Sequence, residues 1–223
     1  SAIKRSSSLK YFASGLLFDN DGVLVDSHQA AIDAWAQLSA EFAPHFDWND
    51  PKHAGQRAED KVREHIASPE LFEIANNRIN ELEQLTAHTT VALGGAVELL
   101  HSLSLGHWTV CTSANARLGR ARLEAAGLPV PPQLVTGDDV KLGKPFPDPY
   151  LLGAKNLGLD PEDCVVFEDA QAGALAAIEA GIGLVIGVSK MALDTDADIV
   201  VKDLTGITFD GETLFIPDKN RLR

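Results

Sequence analysis

The chain has 223 residues, 45% of them hydrophobic and 23% charged, which excludes a disordered, collagen-like or small disulfide-stapled protein. Its 19 Lys and Arg face 32 Asp and Glu, a formal charge of -13. A surface that negative argues against nucleic acid as a partner, and it would repel a phosphorylated metabolite unless the site carried its own cations.

Ser1 to Lys10 is basic and serine-rich, with no apolar segment of signal-peptide length behind it, so residues 1–13 are expected to form a flexible arm. Gly15 to Phe18 is a short apolar run that ends in acids. Val110 to Ser113, Leu134 to Thr136, Cys164 to Phe167, Leu184 to Val188 and the shorter Ile199 to Val201 have the same character. Continuous apolar runs of this length suit strands buried on both faces of a parallel sheet. Helical patterns lie between them: Val97, Leu100 and Leu103 share a face, as do Leu118, Ala121 and Ala125, and Leu151–Leu157 and Ala172–Ala180 are helix-compatible. Repeated β-α units predict an α/β fold, a doubly wound and mostly parallel sheet with right-handed crossovers.

Residues 27–91 break the alternation. Ala31, Trp35, Leu38 and Phe42 recur at helical spacing, Ala58 to Ile66 is helix-compatible, and Leu71, Ala75, Ile79, Leu82 and Leu85 form another stripe. This predicts an all-helical insertion (27–91) in a sheet domain made of 14–26 and 92–223, with Gly94-Gly95 marking the return. So small an insertion must pack against the larger domain. No apolar run reaches the roughly 18 residues of a bilayer span, so no membrane partner is expected. Cys111 and Cys164 sit in apolar runs without Cys-x-x-Cys spacing, as buried reduced thiols of a cytoplasmic protein would. The seven histidines show no metal-ligand spacing such as His-x-x-x-His.

Four strand ends carry groups capable of chemistry. Phe18-Asp19-Asn20-Asp21-Gly22-Val23 puts two carboxylates where α/β sheets bind ligands, and one could attack or hold a metal while the other manages a proton. Asp21-Gly22 could equally be a hairpin turn, and a calcium loop is disfavoured because its twelfth position is Ala30. Val110-Cys111-Thr112-Ser113-Ala114-Asn115 offers hydroxyls before a helix, suited to phosphate oxygens or to a plain helix cap. In Gly143-Lys144-Pro145-Phe146-Pro147-Asp148-Pro149 the prolines stiffen the loop and aim Lys144, which could neutralise a phosphate or simply meet solvent. Val165-Val166-Phe167-Glu168-Asp169-Ala170-Gln171-Ala172-Gly173 ends a strand in two more acids. Oxygen ligands from Asp19 and Asp169 would suit Mg²⁺, although acids at a helix start are also favoured by its dipole.

The order of these blocks — Asp-x-Asp-Gly, Thr-Ser, Gly-Lys-Pro, Glu-Asp-x-x-x-Gly — resembles the haloacid dehalogenase-like hydrolase superfamily from about Leu17 to Val201. Arg120-Ala121-Arg122, Ala126-Gly127-Leu128-Pro129 and Tyr150-Leu151-Leu152-Gly153-Ala154 read like its sugar phosphatases, those acting on hexitol phosphates and 2-deoxyglucose 6-phosphate. The resemblance implies a Rossmann-like core with residues 27–91 as a helical cap. It implies Asp19 as nucleophile, Asp21 as acid and base, Ser113 as phosphoryl ligand with Thr112 as alternate, and Lys144 as neutralising cation. Mg²⁺ would be held by Asp19, the Asp21 carbonyl and Asp169, with Glu168 nearby. His53-Ala54-Gly55-Gln56-Arg57-Ala58-Glu59-Asp60 resembles the cap loop that faces the site, which makes Gly55, Gln56 and Arg57 candidate substrate contacts, together with Asn115. The expected enzyme is a monomeric Mg²⁺-dependent phosphatase of small sugar or polyol phosphates. A dehalogenase or phosphonate-cleaving relative would lack the acid at Asp21, despite Lys52 and Lys61 in the cap. A phosphomutase of the same fold is the rival enzyme, disfavoured because the position twelve after Asp19 is Ala31, with His28 three residues early. A phosphate-sensing module would be the non-enzyme rival.

Overall fold

The structure, a computed structural model, describes residues 8–42 and 50–223. Ten strands and seven α-helices are described. The strands are β1 Ser8–Phe12, β2 Gly15–Phe18, β3 Val25–Asp26, β4 Val91–Ala92, β5 Trp108–Val110, β6 Cys164–Glu168, β7 Leu184–Val188, β8 Ile199–Val201, β9 Thr208–Phe209 and β10 Thr213–Pro217. The helices are α1 His28–Phe42, α2 Ala58–His65, α3 Pro69–Thr86, α4 Ala96–Ser102, α5 Ala116–Ala125, α6 Asp148–Asn156 and α7 Gln171–Glu179.

Five strands form one parallel sheet in the order β5-β2-β6-β7-β8. Its strands are buried on both faces, and the period of two shows in how they divide. Leu16, Phe18, Val165, Phe167, Ile186 and Val188 join one apolar cluster with Leu99, Leu100 and Leu123 of α4 and α5. Leu17, Val166 and Val185 join the other, with Tyr150 and Ala154 of α6 and the alanines of α7. The chain runs from β2 to β5 on one side and then crosses to β6 on the other. Asp19, next after β2, therefore stands at the switch point, where such sheets open a crevice beyond their carboxyl ends.

Three local expectations change. Leu134–Thr136 is not a strand: it contributes only an isolated parallel bridge, Cys111 to Val135, beyond β5. The buried face of α5 is Leu118, Gly119, Arg122 and Leu123, while Ala125 is exposed. Ser8–Phe12 is no loose arm, since β1 pairs antiparallel along its whole length with β10, and β9 completes a three-stranded sheet. Leu214 and Ile216 of β10 fill the first cluster, and Leu9 and Tyr11 of β1 pack beside them. Residues 1–7 lie outside the described residues.

The helical insertion has its own small core. Ala34, Trp35 and Leu38 of α1, Val62 of α2, and Ala75, Ile79 and Leu82 of α3 form a third cluster. Leu71 and Leu85, at the ends of the expected stripe, remain exposed. Its two connections to the sheet domain lie side by side, because β3 and β4 pair antiparallel. Among the described residues, no helix is long and apolar enough to cross a membrane.

Candidate active site

β2 ends at Phe18, and the Asp19 N–H extends the ladder by donating to the Phe167 carbonyl at 3.0 Å. Lys144 reaches in from the loop before α6. Its Nζ lies 3.0 Å from Asp19 Oδ1 and 2.7 Å from Glu168 Oε1, and it donates to the Cys111 carbonyl at 2.9 Å. Three acceptors thus match the three protons of an ammonium that is only 1% exposed. Burial alone would lower the Lys144 pKa, but Asp19 and Glu168 outweigh it and hold the amine charged, well above its usual range. Asp19 is driven the other way: burial, and then Glu168, push its carboxyl well above the ordinary carboxylate range, and Lys144 only partly opposes them.

Asp19, Glu168 and Asp169 offer carboxylate oxygens that all lie within 4.8 Å of one another. Burial and then Glu168 push the Asp169 pKa up to about 7. Glu168 Oε1 accepts from the Tyr150 hydroxyl, whereas the buried Oε2 has no hydrogen-bond partner. Crowded hard oxygens, one of them unsatisfied, fit a divalent cation such as Mg²⁺ or Mn²⁺. Two glycines make this crowding sterically possible. A Cβ on Gly22, whose φ is +84°, would overlap the Asp169 carboxylate, and one on Gly173 would overlap that of Glu168.

The Asp21 carboxylate stands outside that cluster. Its Oδ1 accepts from Ser27 Oγ at 2.6 Å and from Arg122 Nη1 at 3.1 Å. Arg122 Nη2 reaches on to Glu83 of α3 at 2.7 Å, so one buried guanidinium links the acid of β2, helix α5 and the cap. Sequence reasoning quoted Arg122 but gave it no role. The signal was its place beside Leu118 and Leu123 on the buried face of α5, where a charge requires a partner. Tyr150 and Glu83 were missed in the same way.

Thr112 is buried, and its Oγ1 accepts from the Ala114 N–H at 3.1 Å, which occupies it locally. Asn115 is the N-cap of α5, accepting from the Leu118 N–H at 2.8 Å. With Asn77, Asn80, Glu81, Gln84, Leu85 and Arg117 it also lines a pocket of about 560 Å³ between α3 and the start of α5. Ser113 Oγ donates to the Gly55 carbonyl at 2.6 Å, so the hydroxyl expected to meet phosphate touches the cap loop. Gly55, at φ +84°, comes so close to the loop before α7 that an added Cβ would lie 3.1 Å from Ala170 Cβ.

The other two cap candidates are engaged by neighbouring protein groups. Gln56 Oε1 faces His53 Nδ1 at 3.2 Å. Arg57 is buried and pairs with Asp60 and Glu59, and it donates to the carbonyls of Gly137, Val140 and Lys141 at 3.1, 3.1 and 3.2 Å. Its fork is engaged by protein groups, which form a clasp between the cap loop and loop 137–141. Of the cap lysines, Lys52 pairs with Glu64 at 3.0 Å and Lys61 lies over the Trp35 ring at 5.1 Å. Trp35 belongs to the cap core as expected. Cys111 and Cys164 are buried free thiols.

A family model for haloacid dehalogenase-like hydrolases matches residues 13–181. The chain belongs to that family. Among its relatives, hexitol phosphatase A of Escherichia coli is 39% identical over 202 residues, 87% of this chain and 93% of the relative. The 2-deoxyglucose-6-phosphate phosphatase 1 of Saccharomyces cerevisiae is 33% identical over 86% of this chain and 88% of its own length. A hydrolase from Pseudomonas syringae superposes with a TM-score of 0.74 at 28% identity, covering 86% of this chain and 94% of that one. This haloacid dehalogenase-like hydrolase is thus an enzyme of phosphatase type, with relatives among the sugar phosphatases.

Proposed function

We propose that the protein is a Mg²⁺-dependent phosphomonoesterase of small sugar or polyol phosphates, acting through an aspartyl-phosphate on Asp19. The observation that carries this is the meeting of Asp19 with Lys144 at 3.0 Å beside the Glu168–Asp169 carboxylates, at the switch point of the sheet. In the first step an Asp19 oxygen attacks phosphorus, and the bond from phosphorus to the alcohol oxygen breaks. Asp21 gives its proton to that oxygen. In the second step water attacks the phosphorus of the aspartyl-phosphate, Asp21 takes the water's proton, and phosphate leaves with Asp19 regenerated. Asp19, Asp169 and the Asp21 carbonyl, with Glu168 behind them, would hold the cation, which supplies charge neutralisation to the transferring group. Lys144 adds a second fixed positive charge, and Ser113 Oγ binds a phosphoryl oxygen once it releases the Gly55 carbonyl.

The polyol end of the substrate is assigned to the pocket of Asn77, Asn80, Gln84 and Asn115, which Glu81, Leu85 and Arg117 also line. A hydroxyl-rich leaving group suits such a lining, since each amide both donates and accepts. Residues 27–91 act as the cap over 14–26 and 92–223, in a monomeric enzyme. Phosphomutases occur among the structural neighbours, one from Clostridium difficile at 20% identity, a likeness of fold alone, and a candidate one from Thermotoga maritima at 26%. Here the position twelve after Asp19 is Ala31, and the His28 side chain is exposed to solvent.

The test is phosphate release from a panel of hexitol, hexose and glycerol phosphates, with Mg²⁺ and after chelation. Release that needs Mg²⁺ and is fastest on a sugar or polyol phosphate is expected; no release from any member, or release indifferent to chelation, would overturn the reading. Hexose 1-phosphate supplied with catalytic bisphosphate should give inorganic phosphate without accumulation of the 6-phosphate. Faster formation of the isomer would make it a mutase.

A further inference from the structure

His53 and His65 are twelve residues apart in the chain, yet their Nε2 atoms lie 3.2 Å apart, with the rings crossed at 70°. His53 closes the short turn that precedes the cap loop, and His65 is the last residue of α2. Glu64 completes a group whose ligand atoms all lie within 4.8 Å of one another; its Oε1 pairs with Lys52 at 3.0 Å and its Oε2 lies 3.5 Å from His53 Nδ1, so it must turn toward the Nε2 pair to ligate. We propose that His53, His65 and Glu64 form a second metal site, of the transition-metal class represented by Zn²⁺, which pins the cap loop in place.

Three features of the geometry support this. First, zinc–nitrogen bonds of 2.0–2.1 Å at a tetrahedral angle separate two imidazole nitrogens by about 3.4 Å, close to the separation found here. Second, His53 Nδ1 faces Gln56 Oε1 at 3.2 Å. An amide oxygen only accepts, so the Nδ1 position carries the proton and Nε2 presents its lone pair to the group, the outer-shell arrangement usual for a ligating histidine. Third, the His53 ring is buried at 1% exposure while His65 and Glu64 are exposed, which gives one rigid ligand beside two at the surface. Two imidazoles and a carboxylate suit zinc, nickel or copper ions and are a poor set for Mg²⁺.

The site differs in place and in ligand chemistry from the oxygen cluster at Asp19. Its consequence is mechanical. Residues 53 and 65 bracket the segment that carries Gly55, whose carbonyl meets Ser113, and Arg57, which clasps loop 137–141. An ion bound to both ends would cross-link that segment without touching the substrate.

The experiment is calorimetric titration of Zn²⁺ into tag-free, metal-stripped full-length protein in saturating Mg²⁺, which keeps the oxygen cluster filled. One site per chain and a raised Tm are expected, and Co²⁺ in place of Zn²⁺ should give the visible d–d band of a low-coordinate nitrogen-ligated ion. His65→Asn, at the surface, should weaken Zn²⁺ at least about tenfold and remove the band; Gln56→Ala should weaken it by roughly tenfold through the lost orientation of His53. Asp19→Asn should change neither. Zinc binding absent from the unaltered protein, unaffected by His65→Asn, or abolished by Asp19→Asn would each overturn the proposal. The last outcome would assign the ion to the carboxylate cluster, and none of the three depends on catalytic turnover.

Discussion

At Asp19, burial and the Glu168 carboxylate both oppose the charge that the proposed nucleophilic attack requires, and Lys144 only partly offsets them. Asp19→Asn removes the attacking oxygen's charge and one cluster ligand while keeping the shape. Turnover on the best substrate of the panel is expected to fall at least about 10³-fold, roughly 4 kcal/mol of transition-state stabilisation. The variant should fold with a Tm no lower than that of the unaltered protein, since one of several crowded carboxylates has gone. A variant retaining a tenth of the activity would rule out attack by Asp19. Arg122 poses the opposite problem, because its side chain and that of Glu83 are 6% and 9% exposed and each is the other's counter-charge. Arg122→Ala strips the buried Glu83, and also Asp21, of the guanidinium they share and is expected to cost about 3 kcal/mol, or roughly 6–12 °C in Tm for a chain of this size. Adding Glu83→Leu should return most of that loss. A double variant no more stable than Arg122→Ala would show that the cost lies elsewhere than in the stranded carboxylate.

Helix and loop decide what Arg57 does. It stands at the N-cap position of α2, and the loop it clasps, 137–141, follows the β5–α5 unit. Its donors are engaged by three carbonyls and by Asp60, so Arg57→Ala should loosen the cap loop rather than reshape a substrate pocket. The expected result is a fall in kcat/KM of about tenfold, in nearly the same proportion for every substrate of the panel, as when a competent closed state becomes less populated. A reordering of substrate preference would return Arg57 to the role of a specificity residue. Three of the four motif blocks were legible in the chain because they follow apolar runs that form β2, β5 and β6, while Lys144 stood out only through the prolines of its loop. Arg122 and the clasp of Arg57 were not legible in that way, because the carboxylates on Arg122 lie 39 to 101 residues away and the carbonyls that Arg57 meets lie 80 to 84 away. Nor does any local spacing bring His53 to His65, since a turn and the whole of α2 separate them.

The three-stranded sheet ties the start of the described chain to its end. β1 covers one edge of β10, and Leu9 and Tyr11 lie against the cluster that holds Leu214 and Ile216. Deleting residues 1–12 should remove about 2 kcal/mol of apolar burial, which lowers Tm by roughly 4–8 °C. Activity per folded molecule should be kept, because β1 supplies nothing to the carboxyl ends of the parallel sheet. An unchanged Tm would mean that β10 needs no cover. The strand was hidden in the sequence for a physical reason: Ser8-Leu9-Lys10-Tyr11-Phe12 alternates with only one face half-buried, and a basic, serine-rich neighbourhood masks the pattern.

By itself, the sequence determined what local pattern can determine. Apolar runs of strand length, a helical insertion with its own stripe, and acids and hydroxyls at strand ends with a lysine in a proline-rich loop marked the α/β class and the candidate groups, since burial on two faces and exposure at a strand end are written into neighbouring residues. Tertiary structure alone decided the pairings. It seated Lys144 between Asp19 and Glu168, held Asp21 against Arg122, turned Arg57 into a clasp, and brought His53 to His65. A charge takes its partner from whichever element packs against it, and packing across a doubly wound sheet joins residues that no local spacing relates.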